Sequence, residues 1–196
     1  MSEMKRRMRG GELYLADDPE LIEEMARAQR LLERFNATSH SEQALRDEIL
    51  RTLLGAVGDG VVIRPTLRCD YGTQISIGAG AFVNYDCILL DVAPISIGAS
   101  CQLAPRVQLL TAGHPVDPAQ RRDGWEFGAP VTLEDNVWLG AGAIVCPGVT
   151  IGRDTVVGAG AVVTSDLPAS VVAYGAPAKV GRRIPGAGAD APADLA

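Results

Sequence analysis

Aromatic residues make up only 5% of the 196 residues, and the sequence contains just two histidines. No apolar run is long enough to cross a bilayer, so an integral membrane protein is not expected. Lys and Arg number 18 against 24 Asp and Glu, and the net charge of −6 argues against nucleic-acid binding, which needs a basic face. The basic residues near the start are not followed by the apolar segment of a secretory signal, and we therefore expect a cytoplasmic protein.

The sequence does contain a regular repeat of aliphatic residues six positions apart. From 131 to 163 a large aliphatic residue recurs at every sixth position, and a smaller apolar residue stands two positions before each. A helix would need spacing near 3.6 and a strand would alternate without resetting. A hexad is typical of one short strand plus one turn, with three sides forming a coil of about 18 residues in a parallel β-helix. The large positions are Leu133, Leu139, Val145, Ile151, Val157 and Val163.

The repeat also extends upstream, with one slip of two residues between 91 and 94. Glycine often follows the large residue, which relieves backbone crowding where the chain turns a corner. The sequence has no C-x-x-C pair, and Cys69, Cys87 and Cys101 are predicted at small inward positions as buried, reduced thiols rather than metal ligands. The upstream large positions are predicted to be Tyr71, Ile77, Val83, Leu89, Ile97, Leu103 and Leu109.

Residues 1–58 are predicted to form a helical cap on the open end of the solenoid. Asp18 before Pro19 is the pattern of an N-cap followed by proline at the first helical position. Ser39 and Glu42 have the spacing of a capping box, which predicts the start of a second helix. Two helices would cover the apolar edge of the terminal coil. The solenoid is predicted over 59–183, and the Ala-, Pro- and Gly-rich tail 184–196 is predicted to be disordered.

The repeat is lost over residues 111–130, a segment rich in Pro, Gly and charge. An excursion from a regular scaffold is where function tends to reside. His114 opens this excursion, and a neutral imidazole can accept the proton of a hydroxyl nucleophile. His114 is therefore our candidate general base, whereas His40 is expected to be an exposed residue between the helices.

Several other polar or exposed residues admit two readings. The acidic and amide residues at corners are either solvated turns or partners of a polyhydroxylated ligand. Trp138 is predicted to point outward, for subunit packing or ligand contact. Lys179, Arg182 and Arg183 belong either to a solvated tail or to a phosphate-binding site. The corner residues in question are Asp70, Asn84 and Asp91.

Specific segments of the chain resemble the maltose and galactoside O-acetyltransferases and the related nodulation acetyltransferases of the NodL type. The similarity covers roughly residues 1–183. The segments that carry it include GGELY (10–14), RCDYG (68–72), LDVAPISIG (90–98), LAPRVQLLTAGHPVDP (103–118), VWLGAGAIVCPGVTIG (137–152) and GAPAKV (175–180).

This resemblance implies an all-β solenoid, namely a left-handed parallel β-helix of hexapeptide repeats with an N-terminal helical hairpin cap and a protruding loop. It further implies a homotrimer that binds acetyl-CoA between neighbouring subunits and requires no metal. The implied activity is transfer of the acetyl group to a hydroxyl of a sugar such as maltose, glucose or a galactoside.

The resemblance also assigns roles to single residues. His114 and Asn84 match the catalytic residues, and acceptor contacts match Asp70 or Tyr71, Asn84 and Asp91. One departure is Ser165, which stands where lysine is common, and the acidic acceptor residue near the start falls ambiguously on Asp17 or Asp18. Matching contacts to coenzyme A are Ala141, Ala159, Thr164, Lys179 and Arg182, with Trp138 as a further candidate.

Three rival functions share the scaffold. A hexapeptide acetyltransferase for a xenobiotic, an amino acid or a nodulation-factor-like oligosaccharide would use the same histidine. A zinc enzyme of the carbonic anhydrase type needs three histidine ligands, and the chain has two. A non-catalytic solenoid for assembly would have no reason to interrupt its repeat with a histidine-bearing loop.

Overall fold

The computed structural model describes residues 1–185. Three helices and one two-residue strand lie within residues 1–53, short strands and one further helix follow, and the described part of the chain ends in a hairpin. The elements are α1 (Glu3–Arg9), β1 (Tyr14–Leu15), α2 (Pro19–Asn36), α3 (Gln43–Leu53), β2 (Ala56–Val57), β3 (Val62–Ile63), β4 (Leu67–Cys69), β5 (Ile75–Ile77), β6 (Phe82–Val83), β7 (Cys87–Leu90), β8 (Ile95–Ile97), β9 (Gln102–Leu103), β10 (Gln108–Leu110), β11 (Ala112–Gly113), α4 (Pro118–Arg122), β12 (Trp125–Gly128), β13 (Val131–Leu133), β14 (Trp138–Leu139), β15 (Ile144–Val145), β16 (Thr150–Ile151), β17 (Val156–Val157), β18 (Val162–Val163), β19 (Val171–Gly175) and β20 (Ala178–Arg183).

The strands from β2 onward, apart from β11 and β12, wind into a three-sided solenoid whose sides are parallel sheets. Successive strands pass from face 1 to face 2 to face 3, and each pairs with the equivalent strand one turn away. Face 1 contains β2, β5, β8, β13 and β16; face 2 contains β3, β6, β9, β14, β17, β19 and the antiparallel β20; face 3 contains β4, β7, β10, β15 and β18. The predicted parallel solenoid is confirmed. We call the edges the 1–2, 2–3 and 3–1 corners.

The predicted large and small apolar positions between 131 and 163 point into the solenoid. Leu139, for example, pairs in register with Leu103 below and Val157 above, and all three are 0% exposed. Burying one such aliphatic side chain contributes about 1.5–3 kcal/mol, and the ladder repeats this at each turn. The core is therefore a stack of small aliphatic residues, which explains how the protein folds with so few aromatic residues.

The structure corrects the start of the repeat. Cys69, rather than Tyr71, holds the large inward position of its turn and pairs in register with Leu89. The next large inward residue is Ile77, so a second slip of two residues follows Cys69. In the sequence, Tyr71 resembles a repeat position because a glycine follows it. Tyr71 lies instead in a separate buried cluster with Met8, Tyr14, Leu21 and Val92.

The cysteines are free thiols, as predicted, but Cys69 does not occupy a small inward position. Cys87 and Cys101 do occupy such positions and are 0% exposed. Burial raises the pKa of Cys87 to about 11, because the thiolate loses its hydration inside the core. Cys146 is only partly buried. The three buried thiols therefore act as small core residues.

Glycines at the 1–2 corner allow consecutive turns to approach closely. A Cβ atom added to Gly78 would lie 2.5 Å from the backbone nitrogen of Ala99, and one added to Gly98 would lie 2.6 Å from that of Asp135. Backbone atoms cannot move aside as a flexible side chain can. These glycines are therefore required by the spacing between turns, which agrees with the crowding that the sequence predicts.

The N-terminal cap contains three helices rather than the two predicted. The start of α2 is confirmed, since the Asp18 carboxylate accepts hydrogen bonds from the backbone N–H groups of Glu20 and Leu21. Ser39 and Glu42 are hydrogen-bonded, but α3 begins only after Glu42, so the prediction that Ser39 is its N-cap is wrong. The unpredicted α1 places the nearly buried Lys5 against two carboxylates of α2.

Helix α2 covers the edge strand of face 3. The Asn36 side chain donates to the carbonyl of Leu67 at 3.0 Å and accepts from its N–H at 2.8 Å, and Gln29 donates to the carbonyl of Cys69 at 3.0 Å. These amide groups satisfy backbone positions that would otherwise be an open strand edge. The cap therefore closes the solenoid as predicted.

The excursion at 111–130 is more ordered than predicted. Its strands β11 and β12 form an antiparallel hairpin around α4, and β1 extends this hairpin into a three-stranded sheet. Among residues 1–185, no helix is both long and apolar enough to cross a membrane. The predicted disordered tail begins at Ile184, whose N–H donates to the carbonyl of Ser170 at 2.8 Å. Residues 186–196 lie outside the described part of the chain.

Candidate active site

The three insertions into the repeat all fall at the 3–1 corner. The two-residue slips follow β4 and β7, and the excursion follows β10, on three successive turns of face 3. Residues from these three insertions are therefore stacked beside each other. They include the predicted site residues Asp70, Tyr71, Asp91 and His114.

Asp91 holds the lower part of this corner together. Its carboxylate accepts hydrogen bonds from the backbone N–H groups of Asp70 at 3.0 Å, Tyr71 at 2.9 Å and Gln74 at 3.3 Å. The side chain is 0% exposed, and burial raises its pKa although the N–H donors oppose this effect. Asp91 thus fixes the backbone beneath the site, and a direct contact with an acceptor would require these bonds to open.

Two acidic and two phenolic side chains meet above Asp91. The Tyr14 hydroxyl donates to the Oε2 atom of Glu126 at 3.0 Å. Tyr14 is 0% exposed and Tyr71 is 2% exposed, and burial raises the pKa of both phenols, which keeps them protonated as hydrogen-bond donors. Asp70 is half-buried beside them. Carboxylates and phenols together provide the acceptors and donors that sugar hydroxyl groups require.

Tyr14 and Glu126 were not identified from the sequence. Each lies in a segment with no recognisable spacing to Asp70 or His114, and they meet only through the pairing of β1 with β12, 112 residues apart. No local pattern encodes this contact. The similarity of the GGELY segment, which contains Tyr14, was the only available signal.

His114 lies directly after β11, on the exposed surface of the excursion. Thr111 anchors the base of the same strand: its hydroxyl donates to the carbonyl of Leu90 at 2.6 Å and accepts from the N–H of Ala93 at 3.0 Å. The strand that precedes His114 is therefore hydrogen-bonded to residues that flank the two-residue slip in the turn below. An exposed imidazole on a fixed strand is accessible to a substrate.

The ionisation of Asp70 gives a pH-dependent prediction. Burial, then the charges of Asp91 and Glu126, raise its pKa from the usual 3.8 to about 6. The folded state thus disfavours the carboxylate. The contribution of Asp70 to the free energy of unfolding is most favourable below pH 4 and is lost as the pH rises through about 6. Discounted for partial exposure, the penalty at neutral pH is roughly 1 kcal/mol. Asp70→Asn should therefore raise the melting temperature at pH 7.5 by about 2–4 °C.

The same variant should lose about half of its advantage at pH 5 and the remainder as the pH falls below about 4, because Asp70 is then protonated in the folded and the unfolded state alike. Differential scanning fluorimetry across this range provides the measurement. Asp59→Asn, at an exposed turn, is the matched control and should leave the pH dependence unchanged. An advantage for Asp70→Asn that is equal at pH 5 and 7.5 would contradict the proposed cause.

The second group of predicted residues lies at the 2–3 corner and on face 2. Asn84 follows β6 and accepts the N–H of Tyr85 at 2.9 Å. Ala141 and Ala159 stack on adjacent turns of this corner, where the N–H of Gly160 donates to the carbonyl of Ala141 at 2.9 Å. Asn84 lies two turns below Ala141, or about 10 Å away along the solenoid.

Trp138 and Arg182 share one outward row across face 2. Trp138 pairs with Val156, Val156 with Val172, and Val172 with Arg182. Trp138 is 47% exposed, which confirms its predicted outward direction. Lys179 lies opposite the exposed Tyr174 on the terminal hairpin. Two basic residues, Lys179 and Arg182, and the ring of Trp138 thus lie on the upper half of face 2.

The predicted site residues therefore form two groups on opposite edges of face 3. Thr164 follows β18 and belongs to the 3–1 corner with His114, not to the 2–3 corner with Ala159. The four residues of β7 alone span about 10 Å between these corners. Within one chain, the two predicted catalytic residues His114 and Asn84 are therefore kept apart by the width of the solenoid.

Other surfaces of the described chain lack the predicted site residues. An open groove along face 1 is lined by Ser76, Ser96, Glu134, Asp135 and Arg153, among others. Within residues 1–185, no three His, Cys, Asp or Glu side chains are grouped so that they could hold a metal ion.

Comparison with known proteins agrees with this fold. The family profile "Maltose acetyltransferase hexapeptide capping motif" matches residues 7–58, and "Bacterial transferase hexapeptide (six repeats)" matches residues 130–165. The chain is therefore a hexapeptide-repeat acetyltransferase.

Whole-chain similarity is also high. Nodulation protein L of Rhizobium meliloti is 48% identical over 176 residues, which cover 90% of this chain and 96% of that protein. The crystal structure of a maltose O-acetyltransferase from Clostridium difficile 630 is 45% identical with a TM-score of 0.92, covering 93% of this chain and 98% of that one. A galactoside acetyltransferase in complex with coenzyme A is 34% identical with a TM-score of 0.89, covering 94% and 92%. The chain belongs to the maltose and galactoside O-acetyltransferase family.

Proposed function

We propose that the protein transfers an acetyl group from acetyl-CoA to a hydroxyl group of a sugar such as maltose, glucose or a galactoside. The observation that carries this proposal is the position of His114, an exposed imidazole that follows a fixed strand and lies on the excursion from the corner where the carboxylates and phenols meet. Family membership supports the reaction type, and the relative solved with coenzyme A supports the acyl donor.

In the proposed mechanism, His114 accepts the proton of the acceptor hydroxyl as its oxygen attacks the thioester carbonyl carbon. The tetrahedral intermediate then collapses, the carbon–sulfur bond breaks, and the imidazolium returns the proton to the departing thiolate. The products are a sugar acetyl ester and coenzyme A. No covalent enzyme intermediate is needed, because both substrates are held in one site.

Asp70 and Tyr71 are proposed as acceptor contacts. Asp70 is half-buried, and its carboxylate can accept hydrogen bonds from sugar hydroxyls. Tyr71 is almost fully buried, so its contribution is to line the base of the pocket. Asp91 is proposed to keep both backbones in place through the hydrogen bonds described above.

We propose that the complete site forms between subunits of a homotrimer. The 3–1 corner carries His114 and Thr164, whereas the 2–3 corner carries Asn84, Ala141 and Ala159. These corners can face each other when two copies pack side by side, and a cyclic trimer closes such head-to-tail contacts. The exposed Trp138 on face 2 would then be covered by substrate or by the neighbour.

Coenzyme A is proposed to lie along the 2–3 corner, between the small residues Ala141 and Ala159 and the neighbouring subunit. Alanine leaves room for the pantetheine chain to approach the backbone. Lys179 and Arg182 would contact the phosphates, since ammonium and guanidinium groups form charge-assisted hydrogen bonds with them.

Removing both charges tests this phosphate site. Lys179→Gln combined with Arg182→Gln should weaken acetyl-CoA binding about tenfold and reduce its dependence on salt, since two exposed ionic contacts are lost. Isothermal titration at two ionic strengths measures both effects. Arg183→Gln is a matched control, because Arg183 is the next residue on β20 and pairs with the inward Val171. Affinity unchanged in the double variant would count against the assignment.

The acceptor is best identified with a panel. Thiol release from acetyl-CoA should require a sugar, and mass spectrometry should detect the acetyl ester. The panel should include maltose, glucose and a galactoside, with a xenobiotic, an amino acid and a nodulation-factor-like oligosaccharide as the alternative acceptors. The similarity to nodulation protein L favours including the oligosaccharide. No release with any sugar, together with no thermal stabilisation by acetyl-CoA, would refute the proposed function.

A cytoplasmic location is proposed as well. All four cysteines are free thiols in the structure, and reduced thiols are typical of a reducing compartment. Fractionation of the native host would test this location.

A further inference from the structure

The sheet β1–β12–β11 brings Glu126 between Tyr14 and the strand that carries His114. Tyr14 pairs directly with Glu126, and on the other side of β12 the partners are Ala112 with Gly128 and Gly113 with Phe127. The antiparallel register, continued by one residue, places His114 opposite Glu126. Directly opposed residues have Cβ atoms about 4.5–5.5 Å apart and share one face of the sheet.

The side chains support this face assignment. A Cβ atom on Gly113 would lie 2.6 Å from the ring of Phe127, so these opposed residues share one face. Successive side chains alternate between faces, which assigns Glu126 to the other face with its partner Tyr14. The hydrogen bond from the Tyr14 hydroxyl to Glu126 confirms that the carboxylate lies there. His114, one position beyond Gly113, falls on the face of Glu126.

We propose that Glu126 is a positioning residue for His114, and that its carboxylate accepts a hydrogen bond from one imidazole N–H during the reaction. This inference rests on the proposed role of His114. The carboxylate would fix the ring orientation and leave the other nitrogen free to accept the hydroxyl proton. It would also stabilise the imidazolium that forms, as an acidic partner does for other catalytic histidines.

Glu126 has the capacity for this second bond. The Tyr14 hydroxyl occupies Oε2, and among the described residues it is the sole hydrogen-bond partner of this carboxylate, which leaves Oε1. His114 is exposed, so its ring is free to rotate towards Glu126. Such contacts often tighten only when substrates are bound.

Other titratable groups around Glu126 must be considered in any test. Tyr14 faces it from β1, and Asp70 and Tyr71 face it from the 3–1 corner, with Asp91 beneath them and Glu24 near Tyr71 on α2. Asp70 ionises in the same range as an imidazole, so an activity profile alone would mix the two. A spectroscopic measurement on the histidine itself avoids this ambiguity.

The test combines imidazole NMR on the full-length protein saturated with coenzyme A and steady-state kinetics on the same protein at saturating acetyl-CoA. The chain has two histidines, so His40→Gln assigns the His114 signal. In Glu126→Gln the titration midpoint of His114 should fall by about one pH unit, because an opposite charge is removed. kcat should fall at least tenfold, with the acceptor KM changed less than about twofold. Tyr14→Phe retains the carboxylate and should shift the midpoint by a much smaller amount.

Three outcomes would overturn the proposal. An unchanged His114 midpoint in Glu126→Gln shows that the carboxylate does not reach the ring. A rise in acceptor KM alone shows that Glu126 binds the acceptor directly. An equal loss of kcat in Glu126→Gln and Tyr14→Phe without a midpoint shift shows a role in folding the hairpin only. Failure of the proposed function is distinguishable, since activity retained by His114→Ala leaves the NMR result standing.

Discussion

Replacing His114 by alanine should lower kcat by on the order of a hundredfold or more, since a positioned general base contributes about that factor. Acetyl-CoA should still stabilise the variant against heat, because the proposed role of the imidazole is to act on the acceptor hydroxyl and the donor is proposed to bind mainly at the other corner. Thiol release measures the first effect and thermal shift the second.

His40→Ala is the matched control for this variant. His40 is exposed between α2 and α3, at the opposite end of the cap from the excursion, and its loss should leave turnover unchanged. The two variants remove the same side chain from the same protein, so a general effect of histidine loss is excluded. Near-wild-type acetylation by His114→Ala would end the assignment of the base.

Hybrid trimers of His114→Ala and Asn84→Ala subunits should recover about a third of wild-type activity, although each variant alone is nearly inactive. The reason is the separation of the two residues across face 3. If His114 of one subunit works with Asn84 of its neighbour, any trimer containing both variants has one complete site in three.

Co-expression with two different affinity tags, followed by purification on both, isolates these hybrids. Hybrids of wild-type and doubly substituted subunits provide the control for tag effects and trimer stability. If His114 and Asn84 act within one subunit, the mixed variants recover nothing, because every subunit lacks one of the two residues. Such a result would overturn the intersubunit site.

The solenoid was predictable because its core is periodic. Leu139 must pack against Leu103 and Val157 in the neighbouring turns, whatever surrounds them. The six-residue spacing of aliphatic residues reflects the same requirement at every turn. The prediction failed where a local pattern imitated the repeat. Tyr71 before Gly72 has the appearance of a repeat position, yet it packs under the helices, and Cys69 takes the inward place.

The cap and the excursion were less predictable because their structure depends on distant partners. Asp18 identifies the start of α2 through its own hydrogen bonds, which are local. The two-residue strand β1 exists only because β12 pairs with it, and β12 lies over a hundred positions later. Propensity over two residues cannot indicate such a strand.

For the candidate site, the chemistry was partly predictable and the arrangement was not. His114 stands out as the histidine in the one long break of the repeat, and the family resemblance assigns a catalytic role to Asn84. These residues lie on different edges of the solenoid. The sequence does not fix which edge each residue occupies, because every two-residue slip shifts the repeat relative to the three faces. The contact between Tyr14 and Glu126 follows only from the fold.

The glycine contacts at the 1–2 corner hold neighbouring turns at one fixed pitch there, whereas the 3–1 corner already accommodates insertions of very different length. Changes in chain length during divergence are thus tolerated along one edge. Since the acyl donor is proposed to bind along another edge, new acceptor preferences can arise by lengthening or shortening the tolerant side while the donor cleft is inherited intact.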